Sequence, residues 1–150
     1  MIEKIIVTKA DTILTDSNKE IKTPIILIQD PLLEKKIFTF EHFISVAFHD
    51  IVPKYLRPLE LSGLTPFDLK MAEQIIAFTD ELFISKENFD LIVACPHGRA
   101  RGNSISEGIR RLYGIETIIG SVFKETLNPF VIDTIMQLGI RKHGVHYNVV

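Results

Sequence analysis

The hydrophobic positions of this chain fall into short apolar runs and into longer stretches with helical spacing. The short runs are bounded by polar or turn residues and have the length of buried strands. They are Lys4–Val7, Ile25–Ile28, Phe43–Phe48 and Leu91–Ala94. The pattern therefore predicts four strands.

Helical spacing follows the third of these strands. The segment Thr65-Pro66-Phe67-Asp68 predicts a helix start. Thr can cap the helix, Pro can occupy its first turn, and the Asp side chain, three residues after the cap, can accept a hydrogen bond from the backbone N–H of the cap residue. Apolar residues then recur at steps of three and four, which predicts a helix packed on the core. They are Met71, Ala72, Ile75, Ile76, Phe78, Leu82 and Phe83.

Two further helices are predicted near the end of the chain. One runs from about Gly102 to Tyr113 and stops at Gly114. The other begins at Asn128-Pro129, where Asn can cap, and ends at Gly139. Strands and helices alternate, which predicts an α/β fold with a central, largely parallel sheet flanked by helices. All 150 residues are expected to form a single domain.

Composition and charge narrow the classes of function. The chain is 46% hydrophobic and 24% charged, with a formal net charge of −2. This charge gives no general attraction to nucleic acid or to an acidic membrane, so we expect no nucleic-acid partner. The apolar start of the chain is too short for a signal peptide, and no apolar run approaches the roughly 20 residues of a membrane span. We expect a cytoplasmic protein, and the sequence leaves its oligomeric state open.

The chain has a single cysteine, Cys95, which is either buried filler or a reactive thiol. It stands where an apolar strand ends and a turn opens into a helix, the place where α/β sheets bind ligands. The N–H groups of such a turn and the positive end of the helix dipole stabilise a thiolate and suit phosphate oxygens. Gly98 permits the turn, and Arg101 can fold back with a bidentate guanidinium. The spacing therefore predicts a phosphate-binding loop.

The loop resembles that of the cysteine-based protein tyrosine and dual-specificity phosphatases, in particular their compact bacterial and viral-type members. Its sequence is Cys95-Pro96-His97-Gly98-Arg99-Ala100-Arg101. The resemblance covers roughly residues 48–138 and implies a phosphatase-like fold, a Cys95 nucleophile and an Arg101 phosphate clamp. It implies hydrolysis of phosphate monoesters, phosphotyrosine or similar, on a phosphorylated protein or a small phosphate ester. The segment Asn128-Pro129-Phe130 is similar to an element that follows the active site in dual-specificity members.

Two positions depart from the pattern of that family. Ala94 stands where the family usually has His, and Gly102 stands where it has Ser or Thr. The missing His removes a group that orients the loop, and the missing hydroxyl removes a donor that helps the thiolate leave the phosphoenzyme. The departures imply slow turnover, although Asn103 and Ser104 are close enough in sequence to replace the hydroxyl in part.

The general acid must come from a separate segment of the chain. Asp50 is the first candidate, because it follows a strand end and Phe48-His49-Asp50 is similar to the segment that carries the family's acid. The alternative interpretation of Asp50 is a turn aspartate. Asp68 is the second candidate, although a helix-cap role explains it more simply.

The other charged residues favour no separate site. His97 and Arg99 either pair with surface carboxylates or bind a second anionic group, so a polyphosphorylated lipid or inositol substrate stays open. The scattered histidines, with His143 and His146 expected in a C-terminal tail, have no metal-ligand spacing. We expect no metal and no cofactor. The pair at 110 and 111, both Arg, is interpreted as a solvated helix face.

Three functions stay open on the sequence alone. The first is a phosphatase that uses Cys95, Arg101 and Asp50. The second is a catalytically weak phosphate-binding module, which Ala94 and Gly102 would permit. The third is a structural or interaction domain in which the cysteine is inert.

Overall fold

The computed structural model describes residues 1–10, 22–31, 42–96, 100–120 and 127–143. The strands of these residues are β1 Ile2–Lys9, β2 Ile25–Gln29, β3 Phe43–Ala47, β4 Phe89–Cys95 and β5 Thr117–Ile119. The helices are α1 Pro58–Leu61, α2 Leu69–Ile84, α3 Ala100–Tyr113 and α4 Pro129–His143, and a 3-10 turn spans Pro53–Tyr55. The four predicted strands and three predicted helices are all present.

The described strands form one sheet in the order β3-β2-β4-β1-β5, and every neighbouring pair is parallel. The predicted α/β class with a parallel central sheet is therefore confirmed. Strand β4 is the middle strand, with β2 on one side and β1 on the other. Its carboxyl end, which carries Cys95, consequently lies at the centre of the carboxyl edge of the sheet.

Strand β5 was not predicted, because its sequence carries little signal. It is three residues long and partly exposed, whereas the other strands are longer and more deeply buried. Its pairing with β1, in which Ile118 lies beside Ile5, makes it a strand. A pairing of this kind depends on a distant partner and is absent from the local pattern.

Helix α2 begins later than the sequence predicts, so the expected cap at Thr65 is wrong. The helix starts at Leu69, and the N-cap is Asp68, whose Oδ1 accepts a hydrogen bond from Met71 N at 2.9 Å. Tertiary contacts hold the residues before it outside the helix. Phe67 is buried, and its ring packs edge-on against Phe48 with centroids 5.0 Å apart.

Helix α4 continues past Gly139 to His143, so the predicted end at that glycine is also wrong. Gly139 lies inside the helix and faces Leu112 of α3, and a Cβ placed there would overlap that side chain. Gly108 of α3 faces Ile135 of α4, and a Cβ placed there would lie 3.1 Å from Ile135 Cδ1. The glycine at 139 therefore serves the close approach of two helices.

The main core lies between one face of the sheet and helices α2, α3 and α4. The sheet contributes side chains such as Leu91, Val93 and Cys95, and the helices contribute Ile75 and Ile105 among others. A smaller apolar cluster lies on the other face of the sheet. No helix within the described ranges has the length and apolar character needed to cross a bilayer.

Candidate phosphate-binding site

Cys95 is the last residue of the central strand, and only 2% of its surface is exposed. Its side chain belongs to the main core, on the face of the sheet that carries the helices. A Cβ added at Gly102 would lie 3.3 Å from Cys95 Sγ and 3.1 Å from Val7 Cγ1. The first turn of α3 is therefore packed directly on the sulfur, and glycine suits this contact because it has no side chain.

The structure describes both ends of the predicted loop but not its middle. Cys95 ends β4, Pro96 follows in a turn, and Ala100 begins α3. His97, Gly98 and Arg99 lie outside the described residues. The predicted transition from strand through turn to helix is confirmed, and the role of the loop in binding phosphate stays a prediction.

Arg101 is half-buried in the first turn of α3. Its guanidinium Nη1 donates a hydrogen bond to the carbonyl oxygen of Phe48 at 3.0 Å. Phe48 follows β3, which is separated from β4 by one strand, so Arg101 reaches across the carboxyl edge of the sheet. Within the described ranges Arg101 forms no ion pair with a carboxylate.

Asp50 lies two residues beyond the carbonyl group that Arg101 contacts. It is exposed, and its Oδ1 accepts a hydrogen bond from Asn128 Nδ2 at 2.9 Å. Cys95, Arg101 and Asp50 therefore all lie along one edge of the sheet, although 45 residues or more separate the aspartate from the other two in sequence. Asp68, the second candidate acid, caps helix α2, as its simpler explanation predicts.

The loop that begins at Asp50 is closed at its base by the neighbouring histidine. His49 N donates to Thr65 O at 2.6 Å, and His49 Nδ1 accepts from Thr65 N at 2.8 Å. These two hydrogen bonds hold both ends of the segment between residues 50 and 64. The sequence assigns His49 no role of its own, and its place after a strand end is the one signal for these contacts.

Asn128 and Ser104 link helices α3 and α4 beside the candidate site. Ser104 Oγ donates to Ala100 O at 2.7 Å and accepts from Asn128 N at 2.8 Å. The serine hydroxyl is thus engaged between the helices. Asn103 is 2% exposed, and its Oδ1 has no hydrogen-bond partner among the described residues.

A second polar cluster lies at the other end of α4, where the sequence predicted only a tail. His143 is the last residue of that helix, which corrects the prediction, and His146 lies outside the described residues. His143 Nε2 is 3.0 Å from Asp80 Oδ1, and the Tyr113 hydroxyl donates to the same oxygen at 2.6 Å. Thr79 Oγ1 donates to the Tyr113 hydroxyl at 2.8 Å.

The two arginines near the end of α3 are paired within their own helix. Arg110 contacts both carboxylate oxygens of Glu107, at 3.0 and 2.6 Å, and Arg111 Nε contacts one at 2.9 Å. The hydrogen bond from Arg110 lowers the pKa of Glu107 below its ordinary value, and the same bond raises the pKa of Arg110. These charges are satisfied locally.

Among the residues that the structure describes, no three His, Cys, Asp or Glu side chains are grouped to hold a metal ion. No protein-family model matches this sequence, and no curated protein matches it. The fold and the site define an open parallel α/β protein with a cysteine, an arginine and an aspartate at the carboxyl edge of its sheet.

Proposed function

We propose that this protein is a cysteine-dependent phosphatase that hydrolyses phosphate monoesters through a phosphocysteine intermediate. One observation carries the proposal: the Arg101 guanidinium binds the Phe48 carbonyl oxygen, which brings the helix that follows Cys95 to the segment that carries Asp50. A nucleophile, a cationic clamp and an acid on separate segments are what phosphoryl transfer to a side chain requires.

In the first chemical step the Cys95 thiolate attacks phosphorus. The S–P bond forms while the bond from phosphorus to the leaving oxygen breaks, and Asp50 gives its proton to that oxygen. Arg101 and the N–H groups of the loop hold the other phosphate oxygens. Water then attacks phosphorus and gives a proton to the Asp50 carboxylate, the S–P bond breaks, and phosphate and the thiolate are released.

The substrate class that follows is a phosphate monoester, phosphotyrosine or similar, on a protein or a small molecule. Arg101 lacks a carboxylate partner in the described ranges, so its charge can pair with an anionic ligand. The loop would supply more positive charge from His97 and Arg99. A substrate with more than one phosphate would make use of it.

A catalytically weak phosphate-binding module is the second candidate. The observation that favours it is the packing of Gly102 against the Cys95 sulfur, at a place that offers no hydroxyl to help the thiolate leave. Ser104, which is the nearest alternative hydroxyl in sequence, is engaged with Ala100 O and Asn128 N. Such a module would bind oxyanions and turn over slowly.

Hydrolysis of p-nitrophenyl phosphate by the wild type and by Cys95→Ser tests the proposal. We expect the substitution to abolish turnover, because a serine hydroxyl at this position is a far weaker nucleophile than a thiolate. The chain has one cysteine, so iodoacetamide labelling reports on that residue alone. Phosphate or vanadate should slow the inactivation of the enzyme by iodoacetamide.

The same two measurements separate the three functions. Oxyanion protection with no turnover would favour the phosphate-binding module over the phosphatase. Labelling that ignores vanadate, together with equal activity of wild type and Cys95→Ser, would leave only the structural role for the cysteine. Arg110→Lys is the control for a nonspecific loss of activity. Arg110 is paired with Glu107 in the same helix and lies outside the loop that follows Cys95.

A further inference from the structure

Asn128 is 5% exposed, and every polar atom of its side chain has a hydrogen-bond partner. Its Oδ1 accepts from Phe130 N at 3.0 Å, which caps helix α4. Its Nδ2 donates to Asp50 Oδ1 at 2.9 Å and to Ile51 O at 3.0 Å. Its main-chain N–H donates to Ser104 Oγ at 2.8 Å. One residue thus joins α4, α3 and the segment after β3.

The carboxylate of Asp50 depends on this residue for its position. Asp50 is exposed, and the hydrogen bond from Asn128 is the one it receives within the described part of the chain. The Ser104 hydroxyl that binds Asn128 also donates to Ala100 O, at the start of the helix that carries Arg101. Asn128 therefore holds Asp50 in a fixed relation to the first turn of α3.

The chemistry of the amide suits this place. The site needs one acceptor for the helix cap and two donors for the segment after β3, and an Asn side chain offers both. A donor on Oδ1 of Asp50 leaves Oδ2 to carry a proton. We propose that Asn128 is a positioning residue, which holds the Asp50 carboxyl by one oxygen so that the other faces the leaving group. This inference rests on the proposed function.

Asn128→Ser tests the role, because serine keeps a helix-capping oxygen but loses the amide donors. For phenyl phosphate, whose leaving group needs a proton, we expect kcat to fall about tenfold or more. For p-nitrophenyl phosphate we expect a fall of less than about threefold, since its leaving group departs readily. Inhibition by vanadate should stay within about twofold, because the loop is untouched.

A double-substitution cycle separates positioning from general damage to the fold. If Asn128 acts through Asp50, then Asp50→Asn with Asn128→Ser should hydrolyse phenyl phosphate as slowly as Asp50→Asn alone. Asn128→Asp should be more harmful than Asn128→Ser, since it keeps the cap but sets a second carboxylate beside Asp50. The thermal midpoint of each variant shows how far the cap survives.

The outcomes distinguish this inference from the proposed function. Equal losses on both substrates in Asn128→Ser, or losses that add to those of Asp50→Asn, overturn the positioning role in an active phosphatase. A wild type that hydrolyses neither substrate overturns the proposed function and the role with it. The side-chain amide resonances of Asn128, compared between wild type and Asp50→Ala, report the contact without any activity.

Discussion

At the scale of single residues, the candidate site depends on what an arginine at 101 can do. Its Nη1 is committed to the Phe48 carbonyl oxygen, yet a guanidinium has five N–H donors in a rigid fork, so donors remain for a phosphate. A lysine has a single compact ammonium group, which could not bind the Phe48 carbonyl oxygen and a phosphate in the same way. The side chain can therefore bind an anion and the strand end together.

Arg101→Lys should lose most of the phosphatase activity although the charge is kept. The expected fall in kcat/KM for p-nitrophenyl phosphate is about 10²-fold, as for the loss of one oriented electrostatic donor in a buried site. Arg110→Lys, on the same helix, should leave activity unchanged. If Arg99→Ala is inactive while Arg101→Lys keeps full activity, the proposed register of the loop is wrong.

Asp50→Asn removes a carboxyl that can carry a proton, so its effect should depend on the leaving group. Activity on phenyl phosphate should fall by about 10²-fold or more, and activity on p-nitrophenyl phosphate by much less. Asp68→Asn is the matched control, because Asn retains the helix cap and should change neither rate. A loss that depends on the leaving group in Asp68→Asn, with none in Asp50→Asn, would move the acid to Asp68.

At the scale of elements, helix α3 carries its own electrostatic support. Glu107 lies three and four residues before Arg110 and Arg111, the spacing at which helical side chains meet. The Glu107 side chain is only 16% exposed, so water screens these pairs less than it would on an open surface. This helix supplies Arg101, Gly102 and Ser104, and its stability therefore bears on the site.

Glu107→Gln should lower the free energy of unfolding by about 1 kcal/mol at neutral pH. The pKa of Glu107 in the folded protein lies below its ordinary value of 4.5. The carboxylate therefore contributes stability that is present above pH 4.5 and is lost as the pH falls through the lowered pKa. Urea unfolding at neutral and acidic pH measures the difference.

The difference between wild type and Glu107→Gln should therefore shrink as the solution becomes acidic. Glu73→Gln, at an exposed position of α2, is the control and should show little change at either pH. A difference that is the same at both pH values would mean that the ion pairs are not its source.

At the scale of the whole molecule, the glycines at 108 and 139 set how closely α3 and α4 pack. Each faces a bulky side chain of the other helix, Ile135 for Gly108 and Leu112 for Gly139. The same helix pair is joined at its other end by Ser104 and Asn128. Close packing along the pair therefore supports the polar contacts beside the candidate site.

Gly139→Ala should destabilise the protein, although alanine is the better helix former. The added Cβ would lie 3.0 Å from Leu112 Cγ and closer to both methyl groups, and Leu112 is itself buried. Overpacking of this kind costs about 1 to 3 kcal/mol and outweighs the gain of about 1 kcal/mol from helix propensity. The midpoints of urea unfolding show whether Gly139→Ala lowers or raises the stability of the protein.

The reversed sign in a second background makes this test specific. Once Leu112→Ala has removed the crowding side chain, Gly139→Ala should stabilise the protein, because helix propensity then acts unopposed. Gln137→Ala, at an exposed position of the same helix, should have little effect in either background. Stabilisation by Gly139→Ala in the wild-type background would show that the two helices have room to spare.

Local pattern was sufficient for the class of fold and for the order of its main elements. Apolar runs and helical stripes mark the side chains that a segment must bury, whichever partner it packs against. Strands β1 to β4 and helices α2 to α4 could therefore be predicted from sequence. The transition from strand through turn to helix at Cys95 could be predicted for the same reason. The chemical role of that loop stays a prediction.

The helix boundaries and the long-range contacts follow from tertiary packing, because they depend on distant partners. Helix α2 starts at Leu69 because Thr65 is bound to His49, and α4 passes Gly139 because that glycine faces Leu112. Asn128 meets Asp50 across 78 residues of sequence. A sequence pattern indicates which side chains must be buried, but it does not indicate which distant residue will pack against them or bind them.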